Sequence, residues 1–470
     1  MGQELWRLSA VEIAATIRGG GISCVEAVTA AVDRMAAING SVNAVVNDLG
    51  ETALAQARHA DEVVRSGVAL GPLHGVPVTI KENADQRGLP TPNGIPALAE
   101  AMSPDDSPVV TNLLKAGAIV IGRTNTPEFS LRWFTDNPLH GKTLNPWDPA
   151  ITPGGSTGGG AAAVALGIGA IAHGSDLGGS LRYPAYACGL ATIRPSLGRV
   201  PAYNPSGADE RPPTFQLMSV QGPIAREVRD VRLALAAMAR GDARDPWWVP
   251  APLEGPSPAA PIRVAVTKTP AGLSCHPAVA QAIDQAAAYL DAAGYAVEAV
   301  DPPLVAEVAE SWRVLLNTDA RIMLESTIRK FGSTDINAVH DGFQSAEEPR
   351  DLEGYIRAFA DRTRLVRAWH VFLEDIPLVL APVSQVPPYP QDEDLKGAER
   401  VRQMHDEQTL LYAVNLLGLP AAAVPTGLHN GAPLGVQIIG PRFREDLCLD
   451  AAQVIENGAG VLTDRLLDDS

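Results

Sequence analysis

The feature of this sequence that most constrains its fold is a pair of glycine-rich segments, GGSTGGG and GSDLGGSLR, within residues 154–182. Each segment places one serine, Ser156 or Ser180, behind a pair of glycines. Because glycine lacks a Cβ atom, the backbone here can approach other backbone closely and adopt angles that other residues disfavour. A serine in such a setting can meet a substrate carbonyl together with bare N–H donors. The two segments therefore indicate a site for acyl transfer.

A lysine far upstream is the candidate proton acceptor, because no histidine stands beside either serine in a form that suggests a familiar triad. Lys81 closes the apolar segment VPVTI, residues 76–80, which predicts a short buried strand. An isolated lysine is ordinarily a surface cation. At the end of a buried strand, however, desolvation lowers the pKa of the amine and can leave it neutral, as a general base must be.

Helical and extended apolar segments alternate along most of the chain. Capping boxes at residues 9–12 and 23–26 predict the starts of two helices. Further helices are predicted at residues 51–65, 108–116 and 161–166, and strands at 76–80, 118–121 and 168–172. This alternation predicts an α/β layered fold with a largely buried sheet, in which functional sites lie at strand ends.

The second half of the chain departs from this pattern. Residues 305–398 contain longer, more charged helical segments and a proline-rich stretch at 382–390, which predict a helical subregion that shapes the substrate pocket. Near the C-terminus, the apolar segments 421–424 and 433–439 flank the turn signal Asn430-Gly431 and predict a pair of core strands.

Composition favours a globular enzyme in a reducing compartment. The formal net charge of −17 opposes docking on nucleic acid or anionic lipid. The N-terminus lacks a secretory signal pattern, and no apolar run is long enough for a membrane span. We therefore expect neither a nucleic-acid nor a membrane partner. The cysteines form neither a zinc pattern nor a disulfide framework, which fits the cytoplasm; they are Cys24, Cys188, Cys275 and Cys448.

Three motifs have simpler interpretations than catalysis or nucleotide binding. Residues 154–158 fit the G-x-S-x-G nucleophile elbow, but the prolines before them make the approach a loop instead of the required strand. Residues 117–124 resemble a phosphate-binding loop, but their AIVI interior predicts a buried strand. His173 ends an apolar run and is better explained as a packed or hydrogen-bonded residue than as a catalytic base.

Several motifs in a fixed order resemble those of the amidase signature hydrolases. They are the segment 154–182 with its two serines, VTIKEN at 78–83, GRTNTPEF at 122–129, QGPIAR at 221–226 and GVQIIGP at 435–441. With weaker similarity at both ends, the resemblance extends from residue 8 to residue 454. It implies one large α/β/α layered domain over residues 1–470, built around a mixed β-sheet.

The resemblance also implies a role for each matching residue. Ser180 matches the nucleophile, and Lys81 matches the terminal base of a Ser-cisSer-Lys triad. Ser156 matches the bridging serine, which follows a cis peptide bond from Gly155. The implied reaction passes through an acyl-enzyme intermediate and uses neither a metal nor a cofactor.

Two further groups of residues follow from the same motif. Asp176 and Arg182 flank the nucleophile, and we expect them to support its loop through an ion pair or backbone hydrogen bonds. The backbone N–H groups before the nucleophile are implied to form the oxyanion hole; they belong to Leu177, Gly178, Gly179 and Ser180.

The chain departs from the family pattern at three places. Thr157 and Gly160 replace common serines, which removes none of the three proposed catalytic groups. Residues 131–135, LRWFT, are bulkier than the small residues frequent there. Their side chains either line a pocket for an aromatic or aliphatic acyl group or pack in the core. The candidate pocket residues are Trp133, Phe134 and Thr135.

The predicted activity is metal-independent hydrolysis of small carboxamides, anilides, or related carbamates and esters. An alternative is the glutamine amidase subunit of a tRNA-dependent amidotransferase complex, which the acidic charge and the bulky residues 132–134 disfavour. A binding protein without catalysis is a third alternative, and the presence of Lys81, Ser156 and Ser180 disfavours it. Monomer and homodimer both stay open.

Overall fold

An eleven-stranded mixed β-sheet organises the chain in the computed structural model, which describes residues 4–468. The strands are β1 (Val45–Asp48), β2 (Pro77–Lys81), β3 (Ile119–Thr124), β4 (Ile171–Asp176), β5 (Ala191–Arg194), β6 (Val220–Ala225), β7 (Arg263–Val266), β8 (Ala296–Ala299), β9 (Leu378–Pro382), β10 (Ala421–His429) and β11 (Ala432–Ile439). They lie in the spatial order β1-β3-β2-β4-β6-β5-β10-β11-β9-β7-β8.

Helices cover both faces of this sheet. Every residue of β2, β3, β4, β5 and β9 is buried, and successive residues of a strand point to opposite faces. No helix within residues 4–468 is long and apolar enough to cross a membrane. The helices are α1 (Ala10–Arg18), α2 (Cys24–Val42), α3 (Gly50–Ser66), α4 (Pro108–Lys115), α5 (Gly158–Ala165), α6 (Arg182–Cys188), α7 (Pro213–Met218), α8 (Val228–Met238), α9 (Pro277–Ala292), α10 (Val305–Asp319), α11 (Glu325–Phe331), α12 (Thr334–Ala346), α13 (Leu352–Asp375), α14 (Ala398–Glu407), α15 (Thr409–Leu417), α16 (Glu445–Ala459) and α17 (Thr463–Asp468).

The strand directions bring the candidate site residues to one edge of the sheet. β2 lies between β3 and β4 and is parallel to both. In the spatial series β4-β6-β5-β10-β11-β9, each strand is antiparallel to its neighbours. In the parallel pair β2 and β4, Thr79 is opposite Ala172. The carboxyl ends of these strands therefore lie together, and Lys81 at the end of β2 meets Ser175 and Asp176 at the end of β4.

The predicted α/β alternation is confirmed, with shifts in the bounds of single elements. Both N-terminal capping boxes are present, and β10 and β11 form the predicted pair around Asn430 and Gly431. The strand predicted at 168–172 begins at Ile171 instead. Gly169 has a φ of +75° and lies in the turn between α5 and β4, so the extended backbone starts only after it.

Residues 305–398 contain α10 to α13 but are not wholly helical. A π-helical turn, Ala320–Leu324, joins α10 to α11. β9 also falls within this range and pairs with β11 and β7, so it belongs to the main sheet. β9 was not predicted from the sequence, because the periodicity of a short apolar run does not distinguish a buried strand from a buried helical segment.

Helix α5 packs closely against the backbone around β3. A Cβ atom on Gly159 would lie 2.5 Å from the backbone nitrogen of Asn125 and 2.7 Å from the carbonyl oxygen of Ala44. Backbone atoms cannot move aside as the end of a flexible side chain can. The missing side chain of Gly159 therefore lets the loop before α5 reach the ends of β2 and β4.

We expect Gly159→Ala to lower the free energy of unfolding by about 1–3 kcal/mol, the usual cost of overpacking an interior. Gly40→Ala is the matched control, because Gly40 is an exposed residue of α2 with no atom within 4 Å of the added Cβ. Alanine there should stabilise the helix by about 0.5–1 kcal/mol. Urea unfolding followed by circular dichroism measures both changes. Equal stability of the two variants would contradict the close packing of α5.

Candidate active site

Lys81 is fully buried at the carboxyl end of β2. Its Nζ atom lies 2.7 Å from Ser156 Oγ, 3.2 Å from Ser175 Oγ and 3.3 Å from Thr157 Oγ1. Burial lowers the pKa of Lys81 to about 7, although the negative charge of nearby carboxylates opposes this shift. An amine with this pKa is neutral in a large fraction of molecules near neutral pH and can accept a proton.

Ser156 lies in the loop before α5 and follows a cis peptide bond from Gly155. Its carbonyl oxygen accepts a hydrogen bond of 2.9 Å from Thr126 Oγ1. A Cβ atom on Gly155 would lie 2.3 Å from the carbonyl oxygen of Arg132, so this position requires a residue without a side chain. These contacts hold the hydroxyl of Ser156 against Lys81.

Ser180 precedes α6 and lines a cavity. It lies on the loop that leaves β4, at the same edge of the sheet as Lys81 and Ser156. Among the hydrogen bonds formed by residues 4–468, none joins Ser180 Oγ to Ser156 Oγ. The structure thus brings the three predicted triad residues to one site and connects two of them directly.

A buried ion pair closes the loop that carries Ser180. Arg182 Nε lies 3.0 Å from Asp176 Oδ2, Arg182 Nη2 lies 3.1 Å from Asp176 Oδ1, and both side chains are 0% exposed. Burial favours the neutral carboxyl, but Arg182 and Arg194 outweigh it and hold the pKa of Asp176 well below its usual range. The pair joins the end of β4 to the start of α6, which is the contact that the sequence analysis expected.

The four backbone N–H groups implied to form an oxyanion hole have different environments. The N–H of Gly179 donates a hydrogen bond of 2.8 Å to Asp176 Oδ1, so it is not available to a ligand in this conformation. Within the described part of the chain, the N–H groups of Gly178 and Ser180 have no acceptor. In this conformation Gly178 and Ser180, unlike Gly179, present free N–H groups beside the nucleophile position, and the role of the four groups as oxyanion donors stays a prediction.

The cavity beside Ser180 lies within about 900 Å³ of empty space, part of which is open solvent. Its two charged side chains, Arg132 and Asp394, bind each other through hydrogen bonds of 2.7 and 2.8 Å, so neither presents an unpaired charge. Much of the remaining wall is apolar, and several aromatic side chains contribute to it. The aromatic residues include Trp133, Phe215, Trp312, Phe343 and Tyr412.

The three candidate pocket residues after Arg132 have different positions. Trp133 lines the cavity. Phe134 borders it too, but its side chain is fully buried and stacks on Tyr389 with ring centroids 6.2 Å apart, so it also packs in the core. Thr135 does not line the cavity. Its hydroxyl donates to the carbonyl oxygen of Gly154 at 2.8 Å, which corrects its assignment from the pocket to the loop before Ser156.

Several contacts at the site were not predicted from the sequence. The hydroxyl groups of Ser175 and Thr157 contact Lys81. Ser175 had a signal in the sequence, because it belongs to the glycine-rich segment GSDLGGSLR that follows an apolar run. Trp312 and Tyr412 carry no such signal, since they reach the cavity from α10 and α15, far along the chain.

The motifs with simpler interpretations are confirmed as such. His173 is fully buried, and its Nε2 atom lies 2.8 Å from Gln221 Oε1. Burial lowers the pKa of His173 to about 4, so the ring is neutral and hydrogen-bonded within the core. The approach to Ser156 is a loop, and the residues that resembled a phosphate-binding loop form β3. No group of three or more His, Cys, Asp or Glu within residues 4–468 is arranged to hold a metal ion.

Comparison with known proteins decides the family. A family model named Amidase matches residues 26–449. This chain belongs to the amidase signature family. The protein is accordingly a hydrolase of amide C–N bonds, and the resemblance that its motifs indicated is confirmed.

The relatives of this amidase include enzymes with different substrates. It is 53% identical over 464 residues to an indoleacetamide hydrolase of Bradyrhizobium diazoefficiens, an alignment that covers 98% of this chain and 88% of the relative. It is 31% identical over 484 residues to one subunit of the glutamyl-tRNA(Gln) amidotransferase of Moorella thermoacetica, covering 96% and 97% of the two chains. A bacterial aryl acylamidase structure matches with a TM-score of 0.84 at 26% identity, covering 98% of each chain.

We expect Asp176→Asn in this amidase to lower the free energy of unfolding by about 3–5 kcal/mol, because it leaves the guanidinium of Arg182 buried without its charge partner. Asp284→Asn is the matched control, since it breaks the exposed pair of Asp284 with Lys268 and should cost at most about 1 kcal/mol. Chemical unfolding of the two variants measures the difference. A loss for Asp176→Asn no larger than that of the control would contradict a structural role for the buried pair.

Proposed function

We propose that this amidase hydrolyses neutral primary carboxamides that carry an aromatic ring on a short linker, the class to which indoleacetamide belongs. The observation that supports this proposal is the position of Ser180 in the wall of a largely apolar cavity to which several aromatic rings contribute. Planar rings pack well against Trp, Tyr and Phe side chains, which bury large apolar areas. The indoleacetamide hydrolase that is 53% identical to this chain points to the same class.

The proposed chemistry is a serine-to-lysine proton relay. Neutral Lys81 accepts the proton of Ser156 while Ser156 Oγ accepts the proton of Ser180 Oγ, and Ser180 Oγ attacks the carboxamide carbon. The backbone N–H groups of Gly178 and Ser180 stabilise the negative oxygen of the tetrahedral intermediate. The intermediate collapses as the proton returns through Ser156 to the nitrogen, and ammonia leaves. Water then attacks the acyl-enzyme, and the relay returns the proton to Ser180.

One contact of this relay has to close when substrate binds. Lys81 Nζ and Ser156 Oγ are already 2.7 Å apart, whereas no hydrogen bond joins the two serines in the described chain. Catalytic hydrogen bonds are often long before substrate binds and shorten in the reactive complex. In this mechanism, substrate binding brings Ser180 Oγ within hydrogen-bonding distance of Ser156 Oγ.

Charge in the cavity supports a neutral substrate over glutamine. Glutamine carries a carboxylate and an ammonium group, and burying them without partners is costly. Arg132 and Asp394 are the charged side chains of the wall, and each already binds the other. The glutamine amidase alternative still requires a direct test, because a 31% identical relative belongs to an amidotransferase.

A substrate panel tests the proposal. We expect kcat/KM to be highest for indoleacetamide and phenylacetamide, lower for the anilide acetanilide and for acetamide, and lowest for glutamine. The ring supplies buried apolar area that acetamide lacks, and glutamine would have to bring charges into the cavity. Ammonia release measures hydrolysis of the primary amides, glutamine included, and aniline release measures hydrolysis of acetanilide. Activity confined to glutamine would overturn the proposed substrate class in favour of the alternative.

We expect a fluorophosphonate to label Ser180 and the variant Ser180→Ala to lose both labelling and amide turnover, because the proposed nucleophile is absent. Ser41→Ala is the matched control, since Ser41 is exposed on α2 far along the chain from the site. Intact-mass spectrometry and peptide mapping measure the label. Unchanged labelling of the Ser180→Ala variant would exclude Ser180 as the nucleophile.

We expect kcat/KM for an arylacetamide to rise with pH through a midpoint near 7 and then level off, because Lys81 has a pKa of about 7 and acts only after losing its proton. Lys81→Arg should lose about 10²–10⁴-fold in kcat/KM at every pH, since a guanidinium stays protonated. Initial rates between about pH 5 and pH 9 measure both profiles. A profile that is flat across this range in the unmodified enzyme would contradict the assignment of the base.

A further inference from the structure

Two tryptophans of the cavity wall donate hydrogen bonds to successive carbonyl groups of the loop before Ser180. Trp312 Nε1 lies 3.0 Å from the carbonyl oxygen of Leu177, and Trp133 Nε1 lies 3.0 Å from the carbonyl oxygen of Gly178. The indoles come from α10 and from the segment after β3, so they hold this loop from two separate parts of the chain.

These bonds determine where the neighbouring N–H groups point. In a planar trans peptide, the carbonyl and the N–H point in opposite directions. Fixing the carbonyl of Leu177 therefore fixes the N–H of Gly178, one of the proposed oxyanion donors. Fixing the carbonyl of Gly178 in the same way directs the N–H of Gly179 toward Asp176 Oδ1, which accepts it at 2.8 Å.

The packing around Trp312 leaves little freedom for the loop. A Cβ atom on Gly178 would lie 3.0 Å from Trp312 Cζ2, so the peptide rests directly on the indole. The indole stacks on Tyr412 with ring centroids 4.0 Å apart and an interplanar angle of 24°. The hydroxyl of Tyr412 is in turn 2.8 Å from His405 Nδ1. The loop, the indole and the phenol form one packed unit.

We propose that Trp133 and Trp312 are positioning residues that couple the oxyanion-binding loop to the ring of the substrate. Trp312 holds the peptide group that carries the N–H of Gly178, a proposed oxyanion donor. Trp133 holds the next peptide group, which lies between the two proposed donors Gly178 and Ser180. The proposal rests on the function proposed above, in which Ser180 attacks a carboxamide beside these N–H groups. Both indoles also line the cavity that receives the ring. A substrate ring packed against them restricts their motion and therefore the motion of the peptides that they hold.

This coupling has a kinetic consequence. Binding energy that becomes effective only when the reacting group is correctly placed raises kcat, whereas uniform binding lowers KM alone. The ring of an arylacetamide should therefore increase kcat relative to acetamide as well as lower KM. Replacing one of these tryptophans by phenylalanine should reduce this advantage in kcat. The phenyl ring of the phenylalanine still packs against the substrate, but it has no N–H group to hold the loop carbonyl.

Trp312→Phe is the main variant, with Trp133→Phe as a second, independent one. Trp248→Phe is the matched control, since it removes an indole bond to the carbonyl oxygen of Ala239 at 3.2 Å, outside the cavity wall. Three quantities are compared: kcat and KM for phenylacetamide, the ratio of kcat for phenylacetamide to kcat for acetamide, and inhibition by phenylacetaldehyde against ethylbenzene. Ser180 Oγ adds to the aldehyde carbon and forms an oxyanion, whereas ethylbenzene is neutral, has no carbonyl and only occupies the ring site.

We expect each cavity variant to lose about 10-fold in kcat and in aldehyde affinity, a fraction of the 10²–10³-fold effect of deleting an oxyanion donor outright. KM and ethylbenzene affinity should change less than about 3-fold, and the kcat ratio should fall. A variant that raises KM and weakens both inhibitors equally, with kcat unchanged, would show that the indole is only cavity wall and overturn the proposal.

Two measurements distinguish a failure of the positioning role from a folding defect and from a failure of the proposed function. Unfolding midpoints and fluorophosphonate labelling give the fraction of folded, reactive enzyme by which kcat is corrected. If one tryptophan variant does not fold, the other decides the proposal. If the unmodified enzyme is not labelled at Ser180, the proposed function fails. If labelling is normal and the variants keep kcat and aldehyde affinity, only the positioning role fails.

Discussion

The buried ion pair between Asp176 and Arg182 is the interaction on which the rest of the site depends. It joins the end of β4 to the start of α6, and so closes the loop that carries the proposed nucleophile. Arg182 also donates to Asn415 Oδ1 at 2.7 Å and Gln437 Oε1 at 3.0 Å, on α15 and β11. A charge pair without solvent is tolerated only when its remaining hydrogen-bonding groups are also matched. Four separate elements therefore meet at one guanidinium.

The same burial has the opposite result for Lys81, one strand away. Asp176 keeps its charge because arginines surround it, and its pKa is held low. Lys81 has three hydroxyl groups, those of Ser156, Thr157 and Ser175, as its hydrogen-bond partners within the described chain. Hydroxyls compensate desolvation less than a paired carboxylate does, so the pKa of Lys81 falls to about 7. Asp176 and Lys81, at the ends of neighbouring strands, are both buried. They differ in charge because the hydrogen-bond partners of Asp176 include arginine and those of Lys81 are hydroxyl groups.

The aromatic wall joins recognition to the chemistry of the loop. Trp133 and Trp312 face the cavity with their rings and hold carbonyls with their N–H groups, so one side chain serves both tasks. The charges of Arg132 and Asp394 are satisfied within the wall. A neutral planar ligand meets apolar surface there, whereas a charged one meets no unpaired side-chain charge among the described lining residues. In the proposed function, substrate selection and oxyanion geometry are consequently properties of the same few residues.

The sequence by itself determined the α/β class and the candidate triad, because capping boxes, apolar runs and glycine-flanked serines are local patterns. It left open which of residues 133–135 meets the cavity, it assigned the N–H of Gly179 to a ligand, and it missed β9. Tertiary structure alone decided these points. The hydroxyl of Thr135 donates to a loop carbonyl, and Asp176 accepts a hydrogen bond from the N–H of Gly179. Trp312 on α10 donates to the carbonyl oxygen of Leu177. The physical reason is that burial and hydrogen-bond partners come from residues distant along the chain, which no local pattern encodes.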